Sequence, residues 1–417
     1  MLNRTIKYLC TALILPAAMP VAALNINLIG VDGFSVANNE TAWLAFERAA
    51  EEWEAILADP VTVNLEVGYE PLDAGVIGQT GSASMGVTYN GVRTALIADD
   101  MLSVNDAEAV DNLPTGNTIS FITNNLDGSL VVDNNGSANN LVLDINTANA
   151  KALGLRAAND ASVDGAITFN SDFSFDYDPD NGISDGYMDF VGVATHEIGH
   201  ALGFVSGVDI VDLTSGDGVY APVPGSFEED LLLDPYRVFS VLDLYRYSGL
   251  IADAEEFYGI TLDFDYAVYN SDDLNPYLDG SVPIDANPYF SLDGGLTSLA
   301  LFSTGRFNGD GRQASHWKDN LGLGILDPTA GYGELLQIDA LDRLAMDVIG
   351  WDLIDPAAVP LPAAFWFFGS GLLVLLVLFP NLNPPNRPDL NQTTIANRAI
   401  GYNGNVVKRI SLENFRF

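Results

Sequence analysis

The residues His196, Glu197 and His200 stand close together in the stretch FVGVATHEIGHALGF. Two histidines four positions apart on a helix lie within about 5–6 Å at Cβ, so both rings can reach one metal ion. Glu197, next round the helix, points toward a water held at that ion. Such a water is acidified to a pKa of about 7 by zinc, and a carboxylate beside it can take its proton and later hand it to a leaving amine. A catalytic zinc site usually has three protein ligands and an open fourth position, so one more donor is required. In the commonest extended form of the pattern a third histidine follows three residues after the glycine, here Gly203. That position is Ser206. The only cysteine, Cys10, lies near the N-terminus, and the chain has three histidines in all. By elimination the third, His316 in GRQASHWKD, is the leading ligand. A carboxylate from a later helix is the competing donor, with Glu228 and Glu229 in GSFEEDLLLD the nearest candidates.

A second group of possible ligands precedes the histidines. In FDYDPDNGISDGYMDF, Asp176, Asp178 and Asp180 alternate and could offer oxygens to calcium. The glycine, Gly182, is one position late for an EF-hand loop, and the twelfth position is Tyr187, not glutamate. An acidic turn closed by Asn181-Gly182 is the competing reading.

These side chains need a scaffold, and the sequence outlines one. Val191, Ala194, Ile198 and Ala201/Leu202 form an apolar stripe that predicts a helix, and Gly203 suits a left-handed end to it. Upstream, NINLIGV reads as a strand. NNETAWLAFERAAEEWEAILAD reads as a helix with Asn39 or Thr41 as cap, and Trp43, Phe46, Ala50, Trp53 and Leu57 as its core face. VTVNLEVGYE alternates as a strand does; further strands are expected at GVTYNGV, LVLDI and GAITFN, with a short helix at TANAKALGL. Between Ser206 and about Gly311, SVLDLYRYSGLI looks helical and YFSLDGGLTSLALFSTG looks like a hairpin turning at Asp293-Gly294-Gly295. The expected class is α+β, with a cleft between an N-terminal half and a C-terminal half that delivers His316.

ATHEIGHALGF, a long insertion, then SHWK, then ILDPTAGYGELLQIDALDRLAMDVIGW resembles leishmanolysin-type metzincin peptidases over roughly Val191 to Trp351. In that family the third histidine also lies beyond an insertion, so the likeness implies a ligand moved rather than lost. It implies zinc on His196, His200 and His316, Glu197 as general base and Gly203 in the turn. The insertion is placed at about 207–311. The resemblance also implies an apolar residue under the metal where the family has methionine. Here that position is Leu326, close in volume to methionine. DALDRLAMDVIGW matches the family's final core helix.

Composition supports an exported protein. Of the 417 residues 48% are hydrophobic and 10% aromatic, enough for a sizeable core. The formal charge is −39, and residues 24–379 alone carry a net −44, which repels nucleic acid and anionic lipid. Residues 1–23 have the form of a signal peptide: Arg4 and Lys7, an apolar stretch, then Val21-Ala22-Ala23. The mature chain then lacks cysteine and has neither disulfides nor thiolate ligands. After a metalloprotease domain expected at 24–355, a proline-marked linker leads into 19 uncharged residues, 361–379, about 28 Å as a helix and long enough to cross a bilayer. VPLPA ahead of this span resembles the PEP-CTERM sorting signal of Gram-negative bacteria, which implies exosortase-type machinery as a partner. The family's basic cluster directly after the span is absent; an asparagine-rich tail at 380–417, expected to be disordered, follows instead. The functional expectation is a secreted or envelope-anchored zinc endopeptidase acting on proteins or peptides. The alternative is a non-catalytic zinc-containing surface or extracellular-matrix protein.

Overall fold

The alternation of VTVNLEVGYE seeds the sheet that carries the site. In the computed structural model, which describes residues 23–99, 103–125, 128, 130–220, 234–253, 256–265, 287–354 and 410–411, four strands make this sheet. They are β1 (Asn25–Gly30), β2 (Thr62–Glu70), β3 (Gly78–Ser82) and β4 (Gly165–Asn170), in the order β1-β2-β4-β3. β1, β2 and β4 run parallel, while β3 is antiparallel to β4 and forms one edge, with Thr80 opposite Ile167. The chain is mixed α and β, as its patterning predicts.

Helix α1 (Val36–Glu54) covers the sheet with Phe46, Ala50 and Trp53 fully buried, three of the five stripe positions; Leu57 follows just past its end, also buried. Its first turns are kinked at Asn39, whose backbone leaves the helical region (φ −138°, ψ 47°), and Ser35 stands at the cap position. Trp43 is half-buried and donates from Nε1 to Glu47 at 2.7 Å. α1 packs on α2 (Phe190–Leu202), the helix of the two vicinal histidines, and the indole of Trp53 donates to the Thr195 carbonyl at 2.8 Å. All thirteen residues of α2 are buried, wider than the one-sided stripe predicts, because the sheet, α1 and the C-terminal segment enclose it.

The described parts of the segment from 207 onward contribute to the core. α3 (Val208–Thr214) follows α2 directly. The stretch SVLDLYRYSGLI corrects the helical expectation: it makes a single 3-10 turn at Leu242–Tyr245 and then a strand, Arg246–Asp253. Aromatic side chains favour the pleated surface, and Arg246 and Tyr247 pair with Phe290 and Tyr289. The expected hairpin is present, with Tyr289–Phe290 antiparallel to Ala300–Leu301 and Gly294 and Gly295 at positive φ. These strands belong to a six-stranded sheet that also takes in Phe121–Asn124 and Leu130–Asp133. GVTYNGV is strand only to Thr88; helix then runs from Tyr89 to Asp99. Helix α4 (Ala340–Val348), the last among the described residues, is capped by Asp339, whose carboxylate accepts from the Leu341 and Asp342 amides. Residues Ala23–Leu353 fall in one compact unit.

Several sequence expectations fall outside the described residues: the signal peptide core with Cys10, the pair Glu228 and Glu229, VPLPA with the apolar span at 361–379, and the tail at 380–417 apart from 410–411. Within the described residues no helix is long and apolar enough to cross a membrane. In the tail, Ile410–Ser411 pairs antiparallel with Thr329–Ala330.

Candidate metal centre

α2 begins where Asp189 accepts the Gly192 amide at 2.9 Å and ends at Gly203, whose φ of +128° few other residues adopt. Its last carbonyls are satisfied from three sides. Asn146 donates to His200 and Ala201, Ser82 to His200, and the Trp351 indole to Leu202 at 3.0 Å. The helix is thus fixed along its length, and with it the separation of His196 and His200.

The structure brings His316 to them. The Nε2 atoms of His196 and His200 are 2.9 Å apart, and that of His316 lies 3.2 Å from each. Every Nδ1 faces a backbone carbonyl: Ile325 for His196 and Phe204 for His200, both at 2.7 Å, and Gln313 for His316 at 3.2 Å. A carbonyl can only accept, so each Nδ1 carries the proton and each Nε2 presents a lone pair. Three lone pairs then point at one another with no proton between them. Burial also drives all three imidazoles toward the neutral form, His196 down to about 4 and the other two well below the ordinary histidine value. Such a triad repels itself unless a cation lies at its focus. Zn–N bonds of about 2.0–2.1 Å at tetrahedral angles separate neighbouring nitrogens by roughly 3.3 Å, close to the spacing present. The donor set fits zinc, and among the described residues this is the group of histidine and carboxylate side chains able to hold a metal.

Glu197 stands beside the triad, 2% exposed. Its Oε2 accepts from the Thr80 hydroxyl at 2.6 Å, while its buried Oε1 has no hydrogen-bond partner. Burial raises the carboxyl to about 8 against the lowering effect of Thr80. A cation at the three nitrogens opposes that rise. Gly78 on the same edge strand leaves room for the side chain, because a Cβ there would lie 2.9 Å from Oε1.

Leu326 is completely buried and packs on α2, where a Cβ on Gly199 would meet its Cδ2 at 2.9 Å. The turn carrying it is held by Asp342 of α4. That carboxylate accepts from the Ile325 amide at 2.8 Å and the Trp317 indole at 3.0 Å, and burial raises it to about 7. Asp342 therefore ties the residue after His316 to the carbonyl that orients His196.

The three aspartates considered for calcium do not converge. Asp176 accepts from the amide and hydroxyl of Ser184 and from the Asp178 amide, and the Asp178 carboxylate accepts from the Asp180 amide. Arg48 lies 2.5 Å from Asp180 and 3.8 Å from Asp178, so a guanidinium occupies the place of a cation. The acidic turn is the reading this geometry supports.

Sequence reasoning missed Thr80, Asp342 and Asp209, described below. Each acts across more than fifteen residues of chain, and a lone threonine or aspartate in an acidic sequence carries no local signal. Compared with protein-family models, curated proteins and solved structures, the chain matches none of them.

Proposed function

We propose that the chain is a zinc-dependent endopeptidase of the metzincin type, similar to leishmanolysin-like enzymes and acting in the cell envelope or outside the cell of a Gram-negative bacterium. The observation that carries the reading is the convergence of three lone-pair nitrogens on one point, with Glu197 next to His196 on the same helix and its buried Oε1 left without a partner. Zinc held by His196, His200 and His316 would supply Lewis-acid polarisation of the scissile carbonyl and would acidify water. Glu197 takes the proton from the attacking water through Oε1 and passes it to the amine nitrogen as the C–N bond breaks. Thr80 holds the other carboxylate oxygen during both transfers. Among the described residues β3 is an edge strand, and Thr80 on it bonds Glu197, so an extended peptide can add there by main-chain hydrogen bonds. The export of the chain rests on the signal-like residues 1–23, and its sorting on VPLPA and the span at 361–379.

Deep burial of all three histidines also suits the second reading, a surface or matrix protein with a closed structural zinc site. That role gives no use to a buried, partnerless carboxylate oxygen on the residue next to a ligand. Glu197→Gln separates the two: the variant of a peptidase keeps its zinc and loses kcat by at least about a thousandfold, measured on a denatured protein substrate. Zinc binding without any cleavage by the wild-type chain over a broad peptide library contradicts the peptidase reading.

A further inference from the structure

His316 is 116 residues from His200, and its ring has the longest orienting contact of the three, 3.2 Å to the Gln313 carbonyl. Its position must come from the backbone on which it sits. That backbone is fastened to α3, the helix immediately after the metal helix. Asp209 of α3 accepts the Ala314 amide at 2.6 Å, the Ser315 amide at 3.1 Å and, in a shorter contact, the Ser315 hydroxyl. The Ser315 hydroxyl in turn accepts the Ser206 amide at 2.8 Å. Ser206, standing where the commoner pattern has its histidine, thus pins the neighbour of the replacement ligand. One turn further along α3, Asp212 accepts the Phe307 and Asn308 amides at 2.9 and 2.7 Å. Behind this, Asp243 accepts from the Ser206 hydroxyl at 2.6 Å and from the Gly207 and Ser240 amides at 2.8 Å, which fixes the turn into α3. Asp209, Asp212, Asp243 and Ser315 are all buried.

From this we infer that Asp209 is the positioning residue for the third ligand: through Ala314 and Ser315 it sets His316 against His196 and His200, and without it the site falls back toward two ligands. A general stabilising role would not distinguish Asp209 from Asp212, which bolts the same segment farther from His316. The inference rests on the metal-binding reading above but not on peptidase activity. Orienting contacts behind a metal ligand typically change affinity about 10–100-fold when removed.

The test uses the full chain loaded with Co²⁺. It measures cobalt affinity by chelator competition and coordination by the visible absorption bands, for wild type, Asp209→Ala, Asp209→Asn, Asp212→Ala, Ser315→Ala and His316→Ala. Asp209→Ala should weaken binding at least about tenfold and give the spectrum of His316→Ala. Asp209→Asn, which keeps an acceptor for Ala314, should recover part of the loss, and Asp212→Ala should lower the melting temperature while leaving the spectrum as in wild type. Wild-type affinity and spectrum in Asp209→Ala overturn the inference. If Asp209→Ala does not fold, Ser315→Ala decides: several-fold weaker binding supports the inference and unchanged binding overturns it. A wild-type chain that binds no cobalt removes the metal reading, and the inference with it. A wild-type chain that binds cobalt equally well with Asp209 replaced removes the inference alone.

Discussion

Leu326 packs against Gly199 of α2, in contact range that allows little change on either side. Leu326→Ala should cost about 2–5 kcal/mol by denaturant unfolding, because rigid surroundings leave a cavity, whereas Leu326→Met should cost less than about 1.5 kcal/mol and leave metal content unchanged. Gly199→Ala pushes a methyl toward Leu326 and the Trp53 ring, and should cost about 1–3 kcal/mol. The chemistry-bearing residues were legible in the sequence to an unusual degree, since scarcity of histidine alone nominated His316. The residues that orient them were not. Thr80 meets Glu197 across 117 residues and Asp209 meets Ser315 across 106, and such pairs leave no periodic trace.

The elements divide in the same way. α1, α2 and the parallel strands follow from apolar spacing because each carries a continuous apolar face, even where, as in α2, burial extends all round. The stretch after Val241 fits helix as well as strand, because its aromatic and apolar residues around Arg246 suit either period until the strand partners, Tyr289 and Phe290, are known. Beside the first sheet a buried ion pair locks together the short helix Thr147–Ala152 and the connection leading into β4. Lys151 Nζ lies 2.5 Å from Asp164 and also donates to the Thr62 and Asp160 carbonyls, while Asp164 accepts the Asn64 amide and the Thr147 hydroxyl. Lys151→Met leaves the carboxylate buried without its counter-charge and should cost about 3–5 kcal/mol. Asp339→Ala, which uncaps α4 and loosens Asp342, should cost about 1 kcal/mol of stability. It should also weaken metal binding, because Asp342 orders the turn whose carbonyl orients His196.

Across the whole molecule the excess of acid makes stability depend on pH. Burial raises both Asp59 and Asp106 to about 7, Asp59 with help from Asp352 and Asp106 with help from Asp347. Their unfolded values lie near 3.9. The folded state therefore binds protons more tightly, so the stability these groups contribute is complete below about pH 4 and is lost as pH rises to about 7. The melting temperature of the full chain should fall between pH 5 and pH 8, and Asp59→Asn with Asp106→Asn should flatten that slope; an unchanged slope contradicts the assignment. The longest-range claim concerns the metal itself, for which the fold must join ligands from two distant parts of one chain. Elemental analysis of zinc in the purified full chain, beside His316→Ala, tests it most directly. One zinc per wild-type chain is expected, lost or much weakened in the variant. Equal zinc in both would show that His316 is not the third ligand, and no zinc in the wild type would contradict the metal centre altogether.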